Sequence, residues 1–248
     1  HYPLRRQRQM CIRDRFYAHA SVGTLHVRPV LNMKSDQDIK KMRSISEEAF
    51  EMVKNYKGSH SGEHGDGIVR SEFHEMMFGK NITNAFEEIK DTFDNKNLLN
   101  PGKIVRPFKS NDRSLMRYKS DYQTENISTH YDWSNWGQFS DAIEMCNNNG
   151  ACRKLDSGVM CPSYRVTKEE KDLVRGRANT LRLALSNQLP EGSFASKEMY
   201  ETMELCVSCK ACQRECPMSV DMAKMKSEFL SHYYKKFSMR IKDKIISD

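Results

Sequence analysis

The sequence predicts an α+β region followed by an all-α region. Three observations predict it. Strand-like and helix-like patterns both occur before about residue 105, strand signals nearly vanish after residue 140, and seven of the eight cysteines crowd between Cys146 and Cys216.

A chain of 248 residues is long enough for one large or two modest domains. Hydrophobic content of 38% and charged content of 29% fit a soluble protein. No apolar run approaches the ~18–20 residues that a membrane helix needs. The start is basic but no apolar h-region follows, so no secretory signal is read. The net charge of +7 is diffuse: Lys and Arg interleave with Asp and Glu, and no basic block forms a nucleic-acid stripe. A cytoplasmic location is expected, and cysteines there point to metal or redox chemistry rather than disulfides.

The elements follow in order. Residues 1–15 read as foreign. Met10–Arg15 spells MCIRDR, similar to the translated end of a transposon adaptor, and the chain opens on His1. That stretch, with Cys11, is set aside from fold reasoning; a disordered basic arm is the plain alternative. Residues 16–105 form the first domain. Val22–Leu31, rich in β-branched and apolar residues, reads as a strand. Ser35 and Asp38 suggest a capping box. Ile39, Met42, Ile45, Phe50, Val53 and Tyr56 recur at helical spacing, so a helix runs to about Tyr56. Gly58–Gly67 is a glycine-rich loop. A second amphipathic helix carries Ile82, Phe86, Ile89 and Phe93, and stops at the breakers Pro101 and Gly102. Residues 106–139 are polar and weakly patterned and read as a linker, with Trp133 and Trp136 as packing anchors. Residues 140–248 read as helices, among them Glu169–Leu185 and Val220–Tyr234.

The strongest motif is Cys206-x2-Cys209-x2-Cys212-x3-Cys216-Pro217, the spacing of a bacterial ferredoxin run. Soft thiolates suit iron–sulfur clusters. A second block, Cys146-x5-Cys152-x8-Cys161-Pro162, also ends in Cys-Pro. In such paired blocks the last cysteine of one serves the cluster of the other. Cys206, Cys209 and Cys212 are therefore expected to share one cluster with Cys161, and Cys146 and Cys152 a second with Cys216. That second cluster lacks a fourth cysteine, because Asn149 stands where a middle one would fall. It is either a three-iron cluster or a four-iron cluster with a non-cysteine ligand. Structural zinc is the rival reading.

A quieter constellation lies earlier. His19 and His26 flank a turn at Gly23, and Glu63 and His64 sit together in Gly62-Glu63-His64-Gly65-Asp66-Gly67. Two histidines with a carboxylate–histidine pair suit a divalent metal. The flanking glycines let backbone approach a ligand closely. The bland reading is structural or exposed histidines.

His19-Ala-Ser-Val-Gly-Thr-Leu-His26, the Gly62–Gly67 loop and Asn100-Pro-Gly-Lys103 resemble the C-terminal part of FAD-linked 2-hydroxyacid dehydrogenases of the vanillyl-alcohol-oxidase type. With Cys146–Cys161, Arg175-Gly-Arg-Ala178 and the ferredoxin run, the chain is similar to bacterial proteins that fuse this domain to an iron–sulfur domain. The resemblance covers roughly Phe16 to Tyr234. It implies a ferredoxin-like α+β fold with C-terminal helices, then an all-α ferredoxin-type two-cluster domain. It implies FAD, held mainly by a segment before this chain, two iron–sulfur clusters with at least one 4Fe-4S, and a zinc-like divalent metal. His19, His26 and Glu63 would be metal ligands and His64 the base; Arg70 and Asn100 would lie near substrate or cofactor, with a surface arginine as the bland alternative. The reaction implied is oxidation of a D-2-hydroxyacid, such as D-2-hydroxyglutarate or D-lactate, to the 2-oxoacid. Electrons would pass to a quinone, flavoprotein or cytochrome, with peripheral contact at the inner membrane as one setting. Ala20–Thr24 departs from the polar Gly-Asp-Gly-Asn segment of many members, which puts substrate contacts from that loop in doubt. The family's flavin-binding half is missing, so the chain is expected to be an inactive fragment by itself. The competing class is a ferredoxin-like electron carrier without substrate chemistry, which would have no use for the histidine–carboxylate set.

Overall fold

The computed structural model describes residues 17–239 together with 241, 244 and 245. The leading segment read as foreign, with Cys11, lies outside the described residues. The chain divides into two compact units, one ending at Tyr122 and the other beginning at Gln123. The stretch read as a linker is thus shared between them. Its first part is held in the first unit by Glu72, which accepts from the Ser110 backbone at 2.7 Å. Its second part is held in the second unit by Glu228.

The first unit opens with a short hairpin, β1 (Tyr17–His19) and β2 (Thr24–His26). The strands pair antiparallel, with His19 opposite Thr24 and Tyr17 opposite His26. Gly23 makes the turn at φ 64°, a left-handed conformation that glycine enters freely. The strand expected over residues 22–31 is therefore only three residues long. Ala20–Val22 forms a 3-10 turn, and beyond His26 the chain leaves regular structure with Val27 and Val30 exposed. β-branched composition marked the region correctly, but a strand also needs a ladder partner.

Helix α1 (Asp36–Asn55) starts as its cap dictates: the Ser35 hydroxyl accepts from the Asp38 N–H at 3.4 Å. The reciprocal half of the box is replaced. Asp38 accepts from the Asn32 backbone at 2.8 Å instead of from Ser35. Two short helices follow, α2 (Gly67–Arg70) and α3 (His74–Phe78), then the amphipathic α4 (Lys80–Phe93). Asp94 ends α4 by accepting from the Leu98 and Leu99 N–H groups, each at 2.9 Å, and it pairs with Lys90. Those bonds hold its carboxyl down at about 2, with the Lys90 hydrogen bond first among them. The unit's core is small. Ile39, Phe73 and Val105 are buried beside polar His60, Ser71 and His74.

The second unit is helical: α5 (Phe139–Glu144), α6 (Pro162–Thr167), α7 (Val174–Leu185), α8 (Lys197–Glu204), α9 (Ala211–Glu215) and α10 (Met222–Lys236). The helix expected from Glu169 begins at Val174, because Glu170–Asp172 winds as a 3-10 turn first. Leu173, Leu181, Leu185, Met203 and Phe229 are fully buried, and five cysteines sit in the same core. Trp133 is buried and donates its indole N–H to Glu228 at 3.0 Å, while Lys224 lies over its ring. Glu228, on α10, has no exposure and also accepts from the His130 and Tyr131 N–H groups.

Candidate functional site

Residues two positions apart on a strand share a face, and so do residues directly opposite each other across the ladder. With Tyr17 opposite His26, His19 and His26 therefore project from the same face of the hairpin. The Gly62–Gly67 loop lies against that face. A Cβ at Gly62 would overlap the Thr24 side chain, so only glycine permits this approach. The loop then delivers Glu63. Its Oε1 lies 3.2 Å from Nε2 of His19, of His26 and of the adjacent His64. The His19 and His26 rings meet edge to face, with centroids 4.8 Å apart. The ligand atoms of His19, His26 and Glu63 all lie within 4.8 Å of one another. Two imidazoles and a carboxylate converging on one point are a donor set suited to a zinc-like cation. His64 stands at the rim, its side chain 59% exposed to solvent.

Arg70 ends α2 half-buried, and its N–H donates to the Asp66 carbonyl at 3.0 Å. Asn100 takes a left-handed backbone at φ 48° and lines a cleft with Gly65, Gly67, Lys103 and Ile104. Lys103 reaches the Asn100 amide oxygen at 3.4 Å.

A second convergence was not singled out from sequence. His60 and His74 are buried and face the two oxygens of Asp66. Burial pushes the His60 imidazole below its ordinary value. Burial raises the Asp66 carboxyl, but hydrogen bonds from His74 and Ser61 outweigh that and hold it low. The visible signal would have been His60, three residues before Glu63, with His74 eight residues beyond Asp66.

In the second unit, Cys161, Cys206, Cys209 and Cys212 line one cavity. Two devices build it. Glu215 accepts from the Val159 and Met160 N–H groups at 2.9 and 3.0 Å, which draws the segment before Cys161 onto α9. The loop from Cys206 winds through left-handed Ser208 and Lys210. Such conformations cost free energy in non-glycine residues and persist where the surroundings dictate them. Cys146, Cys152 and Cys216 are buried in the core outside that cavity. Asn149 takes up its side chain locally, accepting from the Ala151 N–H at 2.8 Å, and Asn148 approaches the Cys146 sulfur at 3.8 Å.

None of the seven described cysteines is in a disulfide. Burial pushes the Cys212 thiol up to about 11 and raises that of Cys152. Buried thiolates need a cation to neutralise them, so these sulfurs fit the positive irons of a cluster. Arg177, fully buried, adds a fixed positive charge. Its guanidinium lies 3.8 Å from the Cys161 sulfur and 3.2 Å from the Ser163 hydroxyl.

Comparison with known proteins gives two family matches. Residues 5–104 match the C-terminal domain of FAD-linked oxidases, and residues 142–220 match the 4Fe-4S dicluster domain. The first match begins inside the leading fifteen residues. The chain is 30% identical to a D-2-hydroxyglutarate dehydrogenase of Pantoea ananatis over 93% of its own length and 26% of that protein's. It is 31% identical to one of Haemophilus influenzae over 94% of its length and 25% of the relative's. A glycolate oxidase subunit of Bacillus subtilis is 31% identical over 36% of this chain and 19% of the subunit. The chain thus spans about a quarter of the length of the curated relatives that cover it. No solved structure matches.

Proposed function

We propose, from the matches of residues 5–104 to the FAD-linked oxidase C-terminal domain and of residues 142–220 to the 4Fe-4S dicluster domain, that the chain is the metal-binding and electron-exit part of a D-2-hydroxyacid dehydrogenase. The substrate class follows the names of the similar proteins: a D-2-hydroxyacid such as D-2-hydroxyglutarate or D-lactate. The carrying observation is one oxygen, Glu63 Oε1, shared at 3.2 Å by three imidazoles.

In this reading His19, His26 and Glu63 hold a divalent metal of zinc type. When bound, the metal would supply Lewis acidity at the substrate hydroxyl, FAD a two-electron acceptor and the iron–sulfur clusters one-electron carriers. The remaining work falls to side chains of this chain. His64 takes the hydroxyl proton at its ring nitrogen. Its place next to Glu63 puts base and ligand on one loop, and its exposure lets the proton leave to solvent. Arg70 is available to a substrate carboxylate or a flavin phosphate. Asn100 and Lys103 line the cleft beside the Gly65–Gly67 backbone, which we assign to the cofactor side. Cys161, Cys206, Cys209 and Cys212 hold one cluster; Cys146, Cys152 and Cys216 hold the second. The cluster reading is favoured over mononuclear zinc by the sulfur spacing. Among the described residues, the groups of three ligands within 4.8 Å are both histidine–carboxylate, whereas a zinc ion bonds its sulfurs at about 2.3 Å. The external electron acceptor is a quinone, flavoprotein or cytochrome, met in the cytoplasm or at the inner-membrane surface. Among the described residues no helix is long and apolar enough to cross a membrane.

The test is anaerobic stopped-flow of the flavin-loaded protein with D-2-hydroxyglutarate or D-lactate. His64→Ala should slow substrate-dependent flavin bleaching by at least about 100-fold and leave the cluster absorption unchanged. Bleaching at the wild-type rate removes His64 from the base role.

A further inference from the structure

We propose that His60, Asp66 and His74 form a second divalent-cation site, buried in the first unit and separate from the hairpin site. Its ligand set, two imidazoles and one carboxylate, is of the class that takes Zn²⁺ or Co²⁺. It shares no residue with His19, His26 or Glu63.

The geometry is that of a site awaiting a central atom. One ligand atom from each residue lies within 4.8 Å of the others. His74 Nε2 is 2.8 Å from Asp66 Oδ2, and His60 Nε2 is 3.9 Å from Asp66 Oδ1. Each imidazole thus addresses its own carboxylate oxygen. The side chains of His60 and His74 are 1% and 4% exposed, so solvent does not satisfy them.

Proton placement sharpens the reading. His74 Nδ1 lies 3.3 Å from the Ile104 carbonyl and Nε2 lies 2.8 Å from Asp66 Oδ2, so each ring nitrogen faces an oxygen that only accepts. A backbone carbonyl behind a ligating histidine is the usual device for fixing the tautomer and aiming the other nitrogen at a metal. With the proton on Nδ1, Nε2 is left to coordinate a metal; with the proton on Nε2, it donates to Asp66. That hydrogen bond satisfies the His74–Asp66 pair, but it does nothing for His60. Both His60 ring nitrogens and Asp66 Oδ1 have no hydrogen-bond partner in the structure. Buried polar atoms left in that state cost free energy and call for an explanation. A single cation coordinated by His60, Asp66 and His74 satisfies Asp66 Oδ1 and one His60 ring nitrogen.

The surroundings suit a structural ion. Phe50 meets both His60 and Phe73 edge to face, and Phe78 packs on both histidines. His60 and Asp66 bracket Glu63 and His64 in sequence. A cation here would pin both ends of the loop that delivers the hairpin site's ligand, and tie that loop to α3.

The experiment uses the full chain, reconstituted anaerobically so that its cysteines are occupied. His19→Ala, His26→Ala and Glu63→Ala together vacate the hairpin site. After chelator dialysis the protein is titrated with Co²⁺. Bound metal is counted, and the visible spectrum distinguishes nitrogen and oxygen ligands from thiolate. The expected result is one Co²⁺ per chain with no thiolate charge-transfer band, and a melting temperature raised by the metal. Adding His74→Gln should weaken binding by about 100-fold or more. No Co²⁺ bound by the vacated protein overturns the proposal, as does binding through thiolate. If His74→Gln does not fold, His60→Gln replaces it, since that ring has no hydrogen-bond partner to lose; unchanged affinity in the folded variant also overturns the site. Because the hairpin ligands are absent throughout, the outcome is independent of the dehydrogenase reading.

Discussion

At the scale of single residues, buried charge decides most. Glu228 has no exposure and answers three donors, the His130 and Tyr131 N–H groups and the Trp133 indole, with His232 3.4 Å away. Burial raises its carboxyl, but those bonds outweigh it and hold the value below 4.5. A carboxyl lowered on folding adds stability above its unfolded value, and that stability is lost as pH falls through the folded value. The second unit's resistance to denaturant should therefore weaken below about pH 4.5. Glu228→Ala should remove that pH dependence and cost roughly 3–5 kcal/mol at neutral pH, because three buried donors lose their acceptor. An unchanged acid limb in the variant would show that other carboxyls govern it. This carboxylate was invisible in sequence. One glutamate among thirty-three acidic residues carries no sign of a partner nearly a hundred positions away. His19, His26 and Glu63 were legible because their spacing and flanking glycines announce a close approach. His60 and His74 were not: nothing local distinguishes a buried histidine aimed at Asp66 from a surface one.

At the scale of elements, periodicity located the long helices and failed on short pieces. Helix α1 ends within a residue of the expected Tyr56, and α4 carries Ile82, Phe86, Ile89 and Phe93 as read. The early strand shrank to three residues because composition cannot say whether a pairing partner is present. Helix α7 starts late, because a 3-10 turn and the close packing of Gly176 occupy the approach. A Cβ at Gly176 would overlap the Glu170 carbonyl. In an open helix, Gly→Ala gains about 1 kcal/mol. Here Gly176→Ala should destabilise the second unit by about 1–3 kcal/mol, the range of overpacking, as read from the urea midpoint. A stabilised variant would mean that the turn before α7 yields easily.

At the scale of the molecule, the two units rest on different foundations. The first has a small core with a polar centre of His60, Ser71 and His74. The second buries Cys146, Cys152, Cys161, Cys212 and Cys216 among its apolar side chains. Stripping iron from the reconstituted protein should therefore loosen residues 123–239 and spare residues 17–122. Hydrogen exchange read by mass spectrometry checks this; equal loss of protection in both units would contradict it. The division into two cores was legible from where the cysteines begin, but its boundary was not. Polar composition between residues 106 and 139 hides the fact that Glu72 and Glu228 each claim part of the stretch. Helix α10 carries one more implication. Along with Glu228 it bears Lys226, whose ammonium holds the Cys206 and Glu204 carbonyls at 2.6 and 3.2 Å. The loop bearing three sulfurs is thereby clamped to a stiff rod. In the proposed reading, a redox centre gripped this way would have little room to rearrange when its charge changes, so an electron would hop on and off without waiting for the protein to follow.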